Sequence, residues 1–308
     1  MIGVGTRLGD FTTGSAALFA HPGRALAQVN VQAFDAHKHG ALAVVGDAAA
    51  VIEALASACL EWRAPDVWRE ACEAGAAEWR RAVDAAMAPG PARSTPSDAQ
   101  AIGAVWRLAP RGAVVVSAAG GAPGELHKLW RCRAAGDYHV EYGFSCMGYE
   151  IAGGLGVKLA APGREVIVVV GDGSYLMLNS EIATSVAMGL KLVIVVLDNG
   201  GFGCIDRLQR STGSPPFNNL VTGPRVDFAA HAASLGALAE TPADVAGLEV
   251  AMARALAADR TSVIVIATDP GLSTQAGGAW WDVPVAEVSD RPQVKAARAA
   301  YDAAREKR

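Results

Sequence analysis

Charge is scarce in this sequence, and neither sign is concentrated anywhere. Asp and Glu number 31 against 27 Lys and Arg, a net charge of −4, and no basic cluster is longer than the Arg80-Arg81 pair. A chain without a basic stripe cannot gather the phosphate contacts on which nucleic-acid affinity rests, so nucleic acid is not an expected partner. Cysteine is scarce too. The five (Cys59, Cys72, Cys132, Cys146, Cys204) are odd in number, widely spaced and free of any C-x-x-C pair. This excludes a disulfide framework and a cysteine zinc site, and a reducing cytoplasm is the simplest home. No apolar run approaches the ~20 residues that cross a bilayer. Met1-Ile2-Gly3-Val4 also lacks the charged start and apolar core of an export signal, so no membrane partner is expected. What is plentiful is aliphatic: 51% of the 308 residues are hydrophobic, enough for one large α/β domain or two.

The stretch from Val166 to Gly203 organises the rest. Val166 to Val170 is an unbroken β-branched run, the signature of a parallel strand covered on both faces. Gly171-Asp172-Gly173 breaks it, and Tyr175 to Met188 carries apolar residues at helical spacing (Leu178, Ile182, Val186). Gly189 ends that helix, and Leu192 to Leu197 is a second strand of the same kind. Parallel neighbours joined by a right-handed crossover place Asp172 and Asn199 side by side, on the edge where open α/β sheets bind ligands. A carboxylate, an amide oxygen and glycine backbone suit a hard divalent cation that leaves positions for phosphate oxygens. Gly173 and Ser174, opening a helix, offer N–H groups to the same anion. Taken alone, Gly171-Asp172-Gly173 reads first as a strand-to-helix turn with Asp as its cap. Asp198-Asn199-Gly200-Gly201, with 25 residues between Gly173 and Asn199, turns the balance to a Mg-diphosphate site.

Gly171-Asp172-Gly173 followed at this distance by Asn199 resembles the thiamine-diphosphate fingerprint of the acetolactate synthase and pyruvate decarboxylase superfamily. The resemblance implies that Asp172, Asn199 and the carbonyl of Gly201 hold Mg²⁺, which holds the diphosphate of thiamine diphosphate beside Gly171, Gly173 and Ser174. It implies too that Met147 wedges under the cofactor and bends it; ordinary core filling is the other reading of that methionine. Glu141-Tyr142-Gly143-Phe144-Ser145-Cys146-Met147-Gly148-Tyr149-Glu150 and Gly201-Phe202-Gly203-Cys204-Ile205 resemble one branch of the family. That branch hydrolyses a C–C bond in a cyclic 1,2-diketone of inositol breakdown. A 2-oxo acid decarboxylase or carboligase, and a catalytically silent truncated module, are the alternatives. His127 follows a glycine-rich loop that lies by the cofactor in the family, and is a candidate catalytic residue or simply an exposed one. Glu141 and Glu150 form a possible acid/base pair whose geometry the sequence leaves open.

The fold expected is a doubly wound parallel-sheet diphosphate-binding domain preceded by a partial α/β domain. Residues 1–62 read as the partial domain, since three strands and one or two helices cannot close a two-faced sheet. Residues 63–97 read as a helical connector with a Pro/Gly/Ser linker, residues 98–270 as the diphosphate-binding domain, and residues 271–308 as an extension ending in an Ala/Arg/Lys helix. Within the first part, Gln28 to Phe34 reads as one strand, and within the third Phe202 to Thr222 reads as a long irregular lid. Because the resemblance is to the carboxyl-terminal half of a longer enzyme, the pyrimidine-binding domain of a second chain is an expected partner, in a homo-oligomer or a split-subunit complex.

Overall fold

The computed structural model describes residues 1–278 and 280–306; Lys307 and Arg308, the end of the expected terminal helix, lie outside the described residues. Two compact units result, Met1–Glu78 with Gly277–Arg308, and Trp79–Ala276. In the smaller unit the chain runs β1 (Ile2–Val4), α1 (Asp10–Thr13), β2 (Ala27–Asn30), α2 (Ala33–Ala36), β3 (Leu42–Val45) and α3 (Ala48–Ala58). The strands pair in parallel in the order β1-β2-β3, with Gly3, Gln28 and Ala43 in register. The strand expected to reach Phe34 stops at Asn30, because the Asn30 side chain accepts the Gln32 N–H and turns the chain into α2. The next helix, α4 (Asp66–Met87), spans the division between the units. Its last turns, with Trp79, Val83 and Met87, pack into the core of the larger unit, which therefore begins before Asp98.

The larger unit continues with α5 (Asp98–Leu108), β4 (Val114–Ser117), α6 (Gly121–Leu129), β5 (Tyr138–Val140), α7 (Tyr149–Ala160), β6 (Val166–Gly171), α8 (Asp172–Met177) and α9 (Glu181–Ala187). It ends with β7 (Val193–Asp198), α10 (Gly203–Ser211), α11 (Phe228–Ser234), β8 (Leu238–Glu240), α12 (Val245–Ala257) and β9 (Ser262–Ala267). Ser97 opens α5 with a reciprocal capping box to Gln100, which fixes where the helix starts. All six strands are parallel, in the order β5-β4-β6-β7-β9-β8. Alternate residues of each strand feed opposite layers. Ile167, Val169, Val193 and Val195 join Ile102, Leu126, Leu248 and Met252 on one face, while Val166, Val168, Val170 and Ile194 join Ile151, Leu155, Tyr175 and Ile182 on the other. At ~1.5–3 kcal/mol for each aliphatic side chain fully buried, these two layers are what hold the strands in register. The chain leaves β4 for the edge strand β5 and returns to β6 on the other side, so the strand order reverses between β4 and β6. Their carboxyl ends border the crevice such a reversal creates.

The helix expected over Tyr175 to Met188 is two helices. Leu178 is extended (φ −154°, ψ 93°), the Asn179 side chain returns a hydrogen bond to the Tyr175 carbonyl, and α9 restarts at Glu181. The irregular segment expected from Phe202 to Thr222 starts instead with the nine-residue helix α10. Beyond Ala276, the Trp281 indole N–H donates to Asp10 Oδ2 (2.8 Å) and its ring lies 5.3 Å from Phe11, inside the smaller unit. The final helix is α13 (Pro292–Glu306). Among the described residues no helix is long and apolar enough to cross a membrane.

Candidate active site

Three chain turns at the carboxyl edge of the larger sheet enclose a cavity of about 240 Å³. They follow β4, β6 and β7, and a fourth turn before α7 closes the side. Met147, Gly171, Gly173, Ser174, Asn199 and Gly201 line it, with Asp98, Phe202 and Cys204. Asp172 stands just behind, 4% exposed, as the first residue of α8.

Two oxygens at the ends of β6 and β7 lack what buried oxygens normally have. Asp172 Oδ1 and Asn199 Oδ1 are both buried, and neither has a hydrogen-bond partner. A buried acceptor left unmet costs ~1–3 kcal/mol. They stand at the ends of adjacent strands β6 and β7, and of the two residues Asn199 lines the cavity. Burial is the main force that pushes the Asp172 pKa up to about 7; the charge of neighbouring Asp198 adds to it, while the Gly173 N–H and Arg225 oppose it. Arg225, from the segment after α10, forms an ion pair with Asp198. Two hard oxygen donors fit a hard divalent cation. Among the described residues no group of three or more His, Cys, Asp or Glu side chains could hold a metal ion, so further ligands here would be backbone or phosphate oxygens.

The backbone around the two donors is set by close approach. Gly201 has φ +139° and forms an isolated bridge to Leu220, while Phe202 N–H donates to the Asn219 carbonyl at 2.7 Å. A Cβ on Gly201 would lie 2.5 Å from that carbonyl oxygen, so only glycine fits. Across the cavity the Phe202 ring lies on Gly173, where a Cβ would sit 2.7 Å from it. The N-terminal turns of α6 (Gly121, Ala122) and α10 (Gly203, Cys204) both line the cavity, and such turns favour an anion.

His127 is not among the lining residues. It sits exposed on α6, stacked on Tyr142 at 4.6 Å and edge-on to Tyr138 at 5.6 Å, and partial desolvation lowers its pKa. Glu141 and Glu150 have separate tasks. Glu141 accepts the Phe144 and Cys146 N–H groups, which pull its pKa down, and it organises the loop before Met147. Glu150 is buried and bonds to Ser174 Oγ at 2.7 Å, so the Ser174 hydroxyl is already engaged within the protein. Asp98 escaped the sequence reading because it follows a Ser cap and looks like an ordinary helix-start acid. It is buried, burial raises its pKa, and its Oδ1 has no partner. Arg225 gave no signal at all, lying 27 positions from the aspartate it meets.

Residues 118–266 match the family described as thiamine pyrophosphate enzyme, C-terminal TPP binding domain. The chain is similar to 3D-(3,5/4)-trihydroxycyclohexane-1,2-dione hydrolase of Geobacillus thermodenitrificans, 38% identical over 338 residues, 96% of this chain and 51% of that one. It is also similar to the protein of that name from Bacillus cereus, at 35% identity over 96% of this chain and 52% of that one. It therefore spans about half the length of these curated relatives. The solved thiamine diphosphate-dependent 4-hydroxybenzoylformate decarboxylase of Rhodococcus jostii superposes with a TM-score of 0.67 at 21% identity, over 80% of this chain and 44% of that one, a likeness of fold. The turns that present Asp172 and Asn199 lie within residues 118–266, the part of the chain that matches the C-terminal TPP binding domain of thiamine pyrophosphate enzymes.

Proposed function

We propose that this chain supplies the diphosphate- and Mg²⁺-binding half of a thiamine-diphosphate-dependent hydrolase that cleaves a C–C bond in a cyclic 1,2-diketone, a trihydroxycyclohexane-1,2-dione of inositol breakdown. The observation that carries the reading is the pair of unmet buried oxygens, Asp172 Oδ1 and Asn199 Oδ1, at the ends of adjacent strands. The relatives' printed names supply the substrate class. When bound, thiamine diphosphate provides a nucleophilic carbon for a carbonyl and a sink for the electron pair of the bond that breaks.

The chain's own residues have three tasks in this reading. Asp172, Asn199 and the Gly201 carbonyl hold Mg²⁺, the N-terminal turns of α6 and α10 receive phosphate oxygens, and Met147 supports the cofactor from the cavity wall. The carboxylate that polarises the cofactor's aminopyrimidine comes from a pyrimidine-binding domain on a second chain, in a homo-oligomer or a split-subunit complex, and the assembly works in the cytoplasm.

Calorimetric titration of the purified chain with thiamine diphosphate, with and without Mg²⁺, tests this. Mg-dependent binding that Asp172→Ala abolishes, with no turnover by the chain alone, is expected. Binding indifferent to Mg²⁺ or to Asp172→Ala would overturn the site, and robust turnover by the chain alone would overturn the half-site reading.

A further inference from the structure

Glu150 is 1% exposed, and among the described residues no lysine, arginine or histidine forms an ion pair with it. A carboxyl group buried without a cation is costly, and an apolar side chain would ordinarily serve helix packing better at such a place. Its hydrogen bonds show what it does instead. Ser174 Oγ lies 2.7 Å from Oε1 and 2.8 Å from Oε2. The Gly148 N–H is shared between Glu150 Oε2 at 2.9 Å and Ser174 Oγ at 2.8 Å. The Gly148 N–H, the Ser174 hydroxyl and the Glu150 carboxyl thus form a closed triangle, buried on all sides.

The triangle joins two turns that the sheet leaves independent. Gly148 follows Met147, which lines the cavity wall, and Ser174 follows Asp172-Gly173, which supplies the metal-facing carboxylate and the floor under Phe202. Where the turns touch, the Met177 and Leu178 side chains lie at the position a Cβ on Gly148 would crowd, 3.2 Å away. That contact falls at the break between α8 and α9, so the break and the triangle belong to one junction.

We propose that Glu150 is a positioning residue of the cofactor cavity: it ties the Met147 turn to the Ser174 turn, so that wedge and diphosphate floor hold their places only together. The proposal rests on the cofactor reading above for its consequence, and on the hydrogen bonds alone for its geometry. Because Ser174 Oγ is consumed by the triangle, Ser174 offers a bound anion its backbone N–H and not its hydroxyl.

Two measurements on the purified 308-residue chain test it. Amide exchange by NMR reads the junction without any ligand. Glu150→Ala is expected to speed exchange at Gly148 about tenfold or more while the β6 amides of Val168 to Val170 keep their protection, and Glu150→Gln, which can still accept from Gly148 and meet Ser174, is expected to restore most of it. Calorimetry with Mg²⁺ and thiamine diphosphate reads the consequence. Glu150→Ala is expected to weaken binding about tenfold, and to weaken it less in a Ser174→Ala background, since the two act as a unit.

Unchanged Gly148 exchange in a folded Glu150→Ala chain would overturn the tie. Faster exchange with affinity within about twofold of wild type would overturn its role in the cavity. If the wild-type chain binds no thiamine diphosphate, the cofactor reading fails and the role in a cofactor cavity fails with it, while Gly148 exchange still decides whether the tie exists.

Discussion

Asp172→Asn is expected to stabilise the metal-free chain at neutral and alkaline pH while abolishing its response to Mg²⁺. In the folded chain, burial and the adjacent Asp198 lift the Asp172 pKa from 3.8 to about 7. In the unfolded chain the group is an ordinary aspartate. The folded state therefore holds the proton more tightly, binds more protons than the unfolded state between about pH 4 and about pH 7, and loses stability as pH rises through that window. About three pKa units at ~1.36 kcal/mol each make a penalty of roughly 4 kcal/mol, absent below pH ~4 and complete above pH ~7. Asparagine removes the charge but leaves an amide with unmet bonds, which returns ~1–3 kcal/mol of the gain. The net is a stabilisation of about 1–3 kcal/mol at about pH 8, or ~2–12 °C in Tm for a unit of this size. Scanning calorimetry in EDTA at about pH 5 and about pH 8 reads the slope, and the same scans with Mg²⁺ and thiamine diphosphate read the ligand. At a hundredfold excess over Kd the wild type should gain ~2.7 kcal/mol and the variant nothing. A wild-type Tm that does not fall between the two pH values, or an Asn variant less stable than wild type at the higher one, would refute the reasoning.

Two further perturbations probe the same edge of the sheet. Gly201→Ala places a Cβ against the Asn219 carbonyl at a φ of +139°, and should cost ~1–3 kcal/mol in denaturant midpoint and remove Mg-dependent binding of thiamine diphosphate; an unchanged midpoint would mean the turn relaxes freely. Arg225→Ala removes the cation paired with Asp198, on a side chain 47% exposed, so the metal-free chain should lose under ~1 kcal/mol at neutral pH. Added Mg²⁺ should offset that loss because it brings positive charge to the same carboxylates, and Tm scans with and without the ion decide it.

The parts of this fold that could be read in advance are those whose signal is local. Val166–Val170 and Leu192–Leu197 announce buried parallel strands because every position is apolar, and the structure places both in the middle of the six-stranded sheet. From two such strands, the placing of Asp172 and Asn199 at the ends of neighbouring strands follows by topology alone. The break at Leu178 had no such signal, since Tyr175 to Met188 keeps helical spacing throughout, and Gly148, which packs closely against Met177 and Leu178, lies some thirty residues earlier. For α10 the signal was present but outweighed: Pro215-Pro216 and Asn218-Asn219 colour the whole segment as loop, while Asp206 and Arg210 pair one turn apart at 2.7 Å inside a helix that ends at Ser211. Glu150 shows the general limit. Its position two residues into α7 reads as a favourable acid at a helix start, a surface role, and its burial follows only once the Ser174 hydroxyl arrives from the next crossover. A carboxylate's task in this site is thus decided by which turn meets it. The two carboxylates that the sequence brought forward as a possible acid/base pair, Glu141 and Glu150, end as organisers of the turns on either side of Met147, while Asp98 and Asp172 are left with a buried oxygen that meets no partner.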